Sequence, residues 1–342
     1  MHRAVLITGG AGYVGSHISW LLAQHGYQVI VIDNFHHKQQ VSLPWATIIK
    51  EDFAHKETLT HIFNSYAITA VIHCAAFIEV HQSIKDPKDY YENNVFKTAQ
   101  LLEAMLIHGI KRFIFSSSCA VYGVPQHIPI SEEYPRCPIS PYGATKYMVE
   151  QMLADYAHAY GMQFVSLRYF NAAGAQPDDN LGEQHTPETH IIPLLLHAMM
   201  AQKPFTLFGD DYDTPDGSCI RDFLHVADIA QAHLLALNYL EKNGASDFFN
   251  LGTGQGISIK QLVSTAEQLF NMPINLIIAQ RRAGDPQRLV ADPSKAELML
   301  GWKPQHSDIT YILRSAYDYM LKQQSSSMQY KIHNGPTITT HQ

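Results

Sequence analysis

Ala4-Val5-Leu6-Ile7-Thr8-Gly9-Gly10-Ala11-Gly12-Tyr13-Val14-Gly15-Ser16-His17 is the stretch that decides the fold. Five apolar or β-branched residues stop at a pair of glycines, the pattern of a short strand buried on both faces of a parallel sheet. Apolar residues then recur as Val14, Ile18, Leu21 and Leu22, which predicts a helix over 13–24, and Gly26 stands where a C-cap glycine belongs. Val29-Ile30-Val31-Ile32 follows as a second strand ending at Asp33. Strand, helix and strand thus fit in about 30 residues, the crossover that neighbouring parallel strands require.

Gly9, Gly12 and Gly15 form G-x-x-G-x-x-G between that strand and that helix. Glycine lets the backbone turn tightly and approach a pyrophosphate, which then rests on the unsatisfied N–H groups and the positive end of the helix. Asp33 ends the second strand, where a carboxylate can accept both ribose hydroxyls of an adenosine; this favours NAD over a 2′-phosphorylated cofactor. No Arg adjoins Asp33, and His36, His37 and Lys38 are weaker counter-signals. Asp52 and Phe53, after the third strand, are placed to bracket the adenine.

The alternation continues. Strands are predicted at 47–49, 70–73, 112–116 and 163–168, with helices over 89–107 and 142–160, so the fold class is α/β with a doubly wound parallel sheet of Rossmann type. After Asn171 a polar loop containing Pro177, Asp178, Asp179, Asn180 and Gly182 leads to a helix over 192–200 and the start of a second, smaller α/β lobe. A helix over 225–241 and a strand over 248–251 return the chain to the sheet before the smaller lobe resumes near Ile257. The expected division is 1–175 plus about 222–255 for the cofactor and about 176–221 plus 256–323 for the substrate, with 324–342 a loose tail rich in Ser, Thr and His.

Composition bounds the function. The 342 residues suggest two domains of about 150 each. With 46% apolar and 16% charged residues the chain is not of the disordered class. A net charge of −7 without a basic run argues against nucleic acid as a partner. The longest apolar stretch, 191–201, is broken by Pro193 and His197 and falls short of a membrane span, and no segment of signal-peptide length precedes Gly9, so a soluble, cytoplasmic protein is expected. Four scattered cysteines without C-x-x-C suit a reducing compartment. The 20 histidines show no H-E-x-x-H spacing, so no metal is expected. Met148, Met152, Met199 and Met200 read as core filler.

Tyr142 and Lys146 form the chain's one Y-x-x-x-K, a pattern that chance alone would supply about 0.8 times, so placement carries the argument. An i, i+4 pair shares one helix face, and Ser116-Ser117-Ser118 ends the strand just upstream, at the carboxyl edge where ligands bind. A phenol with pKa ~10 is a poor base at neutral pH. Two charges about 4 Å apart interact by roughly 4 kcal/mol at an effective dielectric of 20, so Lys146 together with a cationic nicotinamide would lower that pKa by about two or three units. Tyr142 then serves as acid and base, with Ser118 hydrogen-bonded to the reacting oxygen.

T-G-G-A-G-Y-V-G-S-H (8–17), I-D-N (32–34), V-I-H-C-A-A (71–76), S-S-S-C-A-V-Y-G (116–123), S-P-Y-G-A-T-K (140–146) and R-Y-F-N-A-A-G (168–174) resemble the extended short-chain dehydrogenase/reductase family. R-D-F-L-H-V-A-D (221–228) and R-R-A-G-D-P (281–286) narrow the resemblance to its NAD-dependent UDP-sugar 4-epimerases, over about residues 2–320. The resemblance implies an enzyme that interconverts UDP-glucose and UDP-galactose by transient oxidation at the sugar 4-position, rotation of the 4-keto sugar and hydride return. Tyr142 would be the general base and then the acid, Lys146 its electrostatic partner and a ribose ligand, and Ser118 the residue that positions the hydroxyl.

The implied cofactor contacts are Gly9, Gly12, Tyr13, Val14, Gly15, Asp33, Asn34, Asp52, Phe53, Cys74, Ala75, Ala76, Asn94, Ser116 and Phe170, besides Tyr142 and Lys146. The implied substrate contacts, besides Ser118 and Tyr142, are Asn171, His190, Ile191, Thr206, Phe208, Arg221, Arg282, Asp285 and Leu289. Both arginines would take the diphosphate, a role that suits guanidinium geometry, and Leu289 occupies the position that gates an N-acetyl group. Helices 89–107 and 142–160 would pair into a four-helix homodimer interface, although periodicity alone allows them to be buried within one chain.

The chain departs from the family pattern at His81-Gln82-Ser83, where Gly-Glu-Ser is common, and in a short 34–50 segment. The alternatives are an epimerase preferring UDP-N-acetylglucosamine or UDP-glucuronate, a dehydratase, and a non-catalytic NAD-binding regulator. Cys119-Ala120 lacks the Asp-Glu pair that dehydration needs, and the presence of Ser118, Tyr142 and Lys146 speaks against a regulator. Read by residue type alone, Arg221 beside Asp222 is equally an ordinary ion pair.

Overall fold

All five side chains of β1 (Ala4–Thr8) are buried, as a strand covered on both faces must be. The computed structural model describes residues 3–36, 42–176, 178, 180–282 and 285–333. His37, Lys38, Pro177, Asp179, two residues of the 281–286 motif and the tail beyond His333 lie outside the described residues. From β1 the chain continues through α1 (Tyr13–Gln24), β2 (Gln28–Asp33), β3 (Ala46–Lys50), α2 (Lys56–Ser65) and β4 (Ile68–His73). Next come α3 (Val80–Lys85), α4 (Pro87–Tyr91), α5 (Lys97–Ile107), β5 (Arg112–Ser118), α6 (Pro141–Tyr160) and β6 (Gln163–Tyr169). Then follow β7 (Asn171–Ala173), α7 (Ile191–Met200), β8 (Phe205–Phe208), β9 (Ile220–Arg221), β10 (Phe223–His225), α8 (Val226–Glu241) and β11 (Asp247–Leu251). The remainder is β12 (Ile257–Ser258), α9 (Ile259–Phe270), β13 (Leu276–Ala279), β14 (Arg288–Leu289), α10 (Ser294–Leu300) and α11 (Ile309–His333).

Seven strands form one parallel sheet in the order β11-β6-β5-β4-β1-β2-β3, the doubly wound arrangement predicted from the alternation. Successive side chains of β1 serve opposite faces. Val5 and Ile7 join Ile18, Leu22, Leu234 and Leu237 from α1 and α8. Leu6 joins Leu101, Met105, Val149 and Leu153 from α5 and α6. A third core of Leu195, Leu196, Leu207, Leu262, Ile312 and Leu313 is built by α7, β8, α9 and α11. The sheet reverses its winding about β1 and β4, so the carboxyl ends of these strands open a crevice.

Two predicted segments differ from what formed. The helix expected over 89–107 is α4 and α5 joined by a π-helical turn over Glu92–Phe96. Asn94 sits in that turn and turns inward, where its amide bonds both the N–H and the C=O of Phe77 and the Thr145 hydroxyl; accommodating such an inward side chain is a common reason for the wider turn. At the other end, α11 runs ten residues into the stretch expected to be loose, because no glycine or proline interrupts it before Gly335.

Four histidines are sealed inside the sheet unit and its border: His17, His73, His225 and His233. Burial disfavours their charged form and lowers them to about 4, 3, 4 and 4 respectively. Unfolded histidine takes a proton near 6.5, so the contribution of each neutral ring is complete above that pH and is lost as pH falls towards the folded value, by up to ~1.4 kcal/mol per pH unit per group. Urea unfolding midpoints are therefore expected to fall steeply between pH 6.5 and 4.5; a flat profile across that range would contradict it.

Candidate active site

The crevice begins at the glycine turn. Gly9 has a φ of +66°, and a Cβ there would come within 2.7 Å of the Ala75 backbone. A Cβ on Gly15 would lie 2.3 Å from the Gly9 carbonyl oxygen. Turn, helix and β4 are thus in backbone contact, leaving the N-terminus of α1 open towards the crevice. Asp33 braces this turn by accepting the Ala11 N–H at 3.0 Å and, through its other oxygen, the Phe35 N–H at 2.8 Å. Tyr13 donates its hydroxyl to the Gly174 carbonyl at 2.6 Å, tying the start of α1 to the segment after β7.

From here a cavity of about 930 Å³ extends past Tyr142 to β8, β9 and β14. Every residue expected at the cofactor or the substrate borders it except Asp52, Asn94 and Ser116. These three bond to groups beside it. The Asp52 carboxylate takes the Lys97 ammonium at 2.6 Å, Asn94 holds the Phe77 backbone, and the Ser116 hydroxyl is engaged by Cys74 and His233.

Ser140 caps α6 by accepting the Gly143 N–H, and Pro141 opens its first turn. A Cβ on Gly143 would lie 2.5 Å from the Ala120 carbonyl oxygen, so α6 can press its first turn directly against the Ser118–Val121 segment. That approach sets Tyr142 beside Ser118, with Lys146 one turn on, all three almost fully buried. The Lys146 ammonium donates to the Ser116 carbonyl at 2.8 Å and lies 4.8 Å from the Phe115 ring centroid and 5.9 Å from that of Tyr142. Burial pulls Lys146 down to about 8, the Cys74 and Glu150 charges opposing it.

The phenol does not follow the expected sign from protein groups alone. Burial, with smaller contributions from Cys119 and Glu79, pushes Tyr142 up to about 12, and the hydrogen bond with Ser118 recovers only part of this. Lys146 directs its proton at the Ser116 carbonyl, so the acidification attributed to it requires the second cation of that argument, the nicotinamide.

At the far end, Arg221 pairs with Asp285 and donates to the Ile220 carbonyl at 2.8 Å. Asp222, its neighbour in sequence, is not its partner. That carboxylate is buried and accepts the N–H groups of Thr253, Gly254 and Ala291, so the local ion-pair reading of residues 221–222 fails. The Arg282 guanidinium carbon lies 4.0 Å from the Phe208 ring centroid. Leu289 pairs in register with Arg221, and Asn171 donates its amide to the Asp222 carbonyl.

Further stretches of the border include residues not expected at either ligand. Phe77, Ile78, Glu79, His81 and Ile84 form one rim, and the unusual His81 falls among them. Glu183, His185 and His190 line another stretch, and with Glu188 they bring four metal-ligating atoms within 4.8 Å of one another. All four lie within the segment E-Q-H-T-P-E-T-H (183–190). Gly15→Ala is expected to cost the protein its co-purifying dinucleotide and several degrees of Tm, read by absorbance at 260 nm and thermal melting; an unchanged dinucleotide content would refute the steric argument.

The profile of the NAD dependent epimerase/dehydratase family matches residues 5–252. The UDP-glucose 4-epimerase of Halalkalibacterium halodurans is 46% identical over 317 residues, spanning 92% of this chain and 95% of that protein. The UDP-glucose 4-epimerase of Rhizobium leguminosarum bv. trifolii is 46% identical over 321 residues, spanning 94% and 98%. Among solved structures, the UDP-glucose 4-epimerase from Brucella ovis in complex with NAD superposes with a TM-score of 0.89 at 46% identity, covering 92% of this chain and 97% of that one. This chain belongs to the NAD dependent epimerase/dehydratase family.

Proposed function

We propose that this protein interconverts UDP-glucose and UDP-galactose through a bound NAD, with Tyr142, Lys146 and Ser118 as its catalytic residues. The observation that carries the assignment of residues is the single cavity that joins the glycine turn to Arg221 and Arg282, with the buried Ser118–Tyr142–Lys146 group midway along it. The glycine turn, where a Cβ would collide with backbone, offers the close approach that a pyrophosphate needs, and the Asp33 carboxylate at the end of β2 suits an adenosine ribose. When bound in the crevice lined by the glycine turn and Asp33, NAD would supply a reversible hydride acceptor for the sugar C4.

The protein's own work is proton handling and orientation. Tyr142 accepts the C4 hydroxyl proton as hydride leaves and gives it back as hydride returns, so its phenol oxygen is base and acid in turn. Ser118 donates to the same oxygen and aligns it. Lys146 keeps positive potential beneath the phenolate; its donation to the Ser116 carbonyl fixes the ammonium on that side of the site. Arg221 and Arg282 hold the diphosphate, an anchor about which the sugar can turn over and present its opposite face. The sheet unit holds the dinucleotide and the α7–β8–α9–α11 core supports the UDP-sugar.

The exposed apolar residues Phe96 (66%), Ile107 (66%), Met148 (40%) and Tyr160 (55%) on α6 and on the π-turn and α5 support pairing of two copies through a four-helix bundle. Cys74, Cys119, Cys137 and Cys219 are unpaired, which supports residence in a reducing cytoplasm. Among the described residues no helix is long and apolar enough to cross a membrane.

Tyr142→Phe is expected to lower kcat by about 10²–10⁴-fold while bound NAD, measured after acid release, stays at the wild-type level; turnover within twofold of wild type would remove Tyr142 from the mechanism. Phe96→Glu is expected to shift the sedimentation coefficient from dimer to monomer, and a wild-type monomer would overturn the bundle.

A further inference from the structure

Glu183, His185, Glu188 and His190 meet in the segment just before α7. The Nδ1 of His190 lies 2.6 Å from Oε1 of Glu183 and 3.5 Å from Oε1 of Glu188, and the Nδ1 of His185 lies 3.1 Å from Oε1 of Glu183. The side chains of Glu183, His185 and Glu188 are only 6%, 11% and 13% exposed. Although the His190 ring is partly exposed, its Nδ1 is sealed from solvent, and no acceptor is aligned with it for a hydrogen bond. The cluster forms a partition between two cavities. Glu183, His185 and His190 border the main one, while Glu183, His185 and Glu188 border a second of about 390 Å³ that is closed by α11.

We propose that this cluster is a binding site for a first-row divalent transition metal ion of the zinc type. Two imidazole nitrogens and two carboxylate oxygens make a four-ligand set of borderline softness; magnesium and calcium instead favour oxygen alone. Bonds of about 2.0–2.2 Å in a tetrahedron separate ligand atoms by roughly 3.3–3.6 Å, so the shortest contacts open slightly and the wider separations, all within 4.8 Å, draw in. Two carboxylates facing neutral imidazoles leave a charge of −2 for a divalent ion to cancel. Imidazole ligates as the neutral ring, so affinity at such a site rises with pH. Occupancy would tie the 183–190 segment, one wall of the substrate end, into a single unit.

The test uses the full-length protein with its dinucleotide retained, after dialysis against EDTA. Titration with ZnCl₂ is expected to show one saturable equivalent. CoCl₂ is expected to give the intense visible absorption of a four-coordinate ion, and His185→Ala and Glu188→Gln, each judged folded by its dinucleotide content, are expected to lose that equivalent. Should one variant not fold, the other variant and the wild-type cobalt spectrum still decide. Absence of a saturable equivalent in the wild type, a weak six-coordinate cobalt spectrum, or unchanged binding in either folded variant overturns the site.

Discussion

Backbone-to-backbone contact at the first turn governs the rest of the molecule. Gly9 and Gly15 have no room for a side chain, so β1, α1 and β4 meet more closely than any other residues would allow. That closeness exposes the N-terminal N–H groups of α1 at the crevice edge and fixes where a pyrophosphate can sit. Gly143 repeats the device at the second contact that matters, bringing α6 against the turn after β5. Two steric constraints, one for the cofactor and one for the catalytic residues, thereby set the two ends of a single geometry.

Burial then sets the chemistry. Glu150 and Arg168 are each 1% exposed and meet at 2.6 Å, and Glu150 also accepts the hydroxyls of Ser117 and Ser166. A lone charge at that depth would cost several kcal/mol, so this network keeps the strand beneath the site polar and rigid. Tyr142 and Lys146 lack such a carboxylate between them, and burial drives both towards neutrality, the phenol upwards and the amine downwards. A site of this kind is poised to respond to a cationic ring placed beside it, because the same low dielectric that penalises isolated charge magnifies the attraction between opposite charges.

The parts beyond the sheet serve the other ligand, and there charge pairs reach across the chain. Arg221 finds Asp285 from 64 residues away instead of adjacent Asp222, which is occupied in holding the turn at 253–254 and the Ala291 backbone. The Glu183–His190 segment likewise draws four ligating groups into one place between two cavities.

What the sequence by itself determined was local and periodic. The buried strand Ala4–Thr8, the glycine spacing after it, Asp33 at the end of β2 and the i, i+4 pair Tyr142 and Lys146 were all legible, because strand, helix and turn each impose a short repeat or a residue type. Most of the border of the cavity came through the family resemblance instead, since residues as far apart as Gly9 and Leu289 share no local pattern. Only the tertiary structure decided that Asn94 holds the Phe77 backbone, that Arg221 pairs with Asp285, and that burial raises the phenol. Each of these depends on distance through space and on exclusion of water, and neither quantity is a function of separation along the chain.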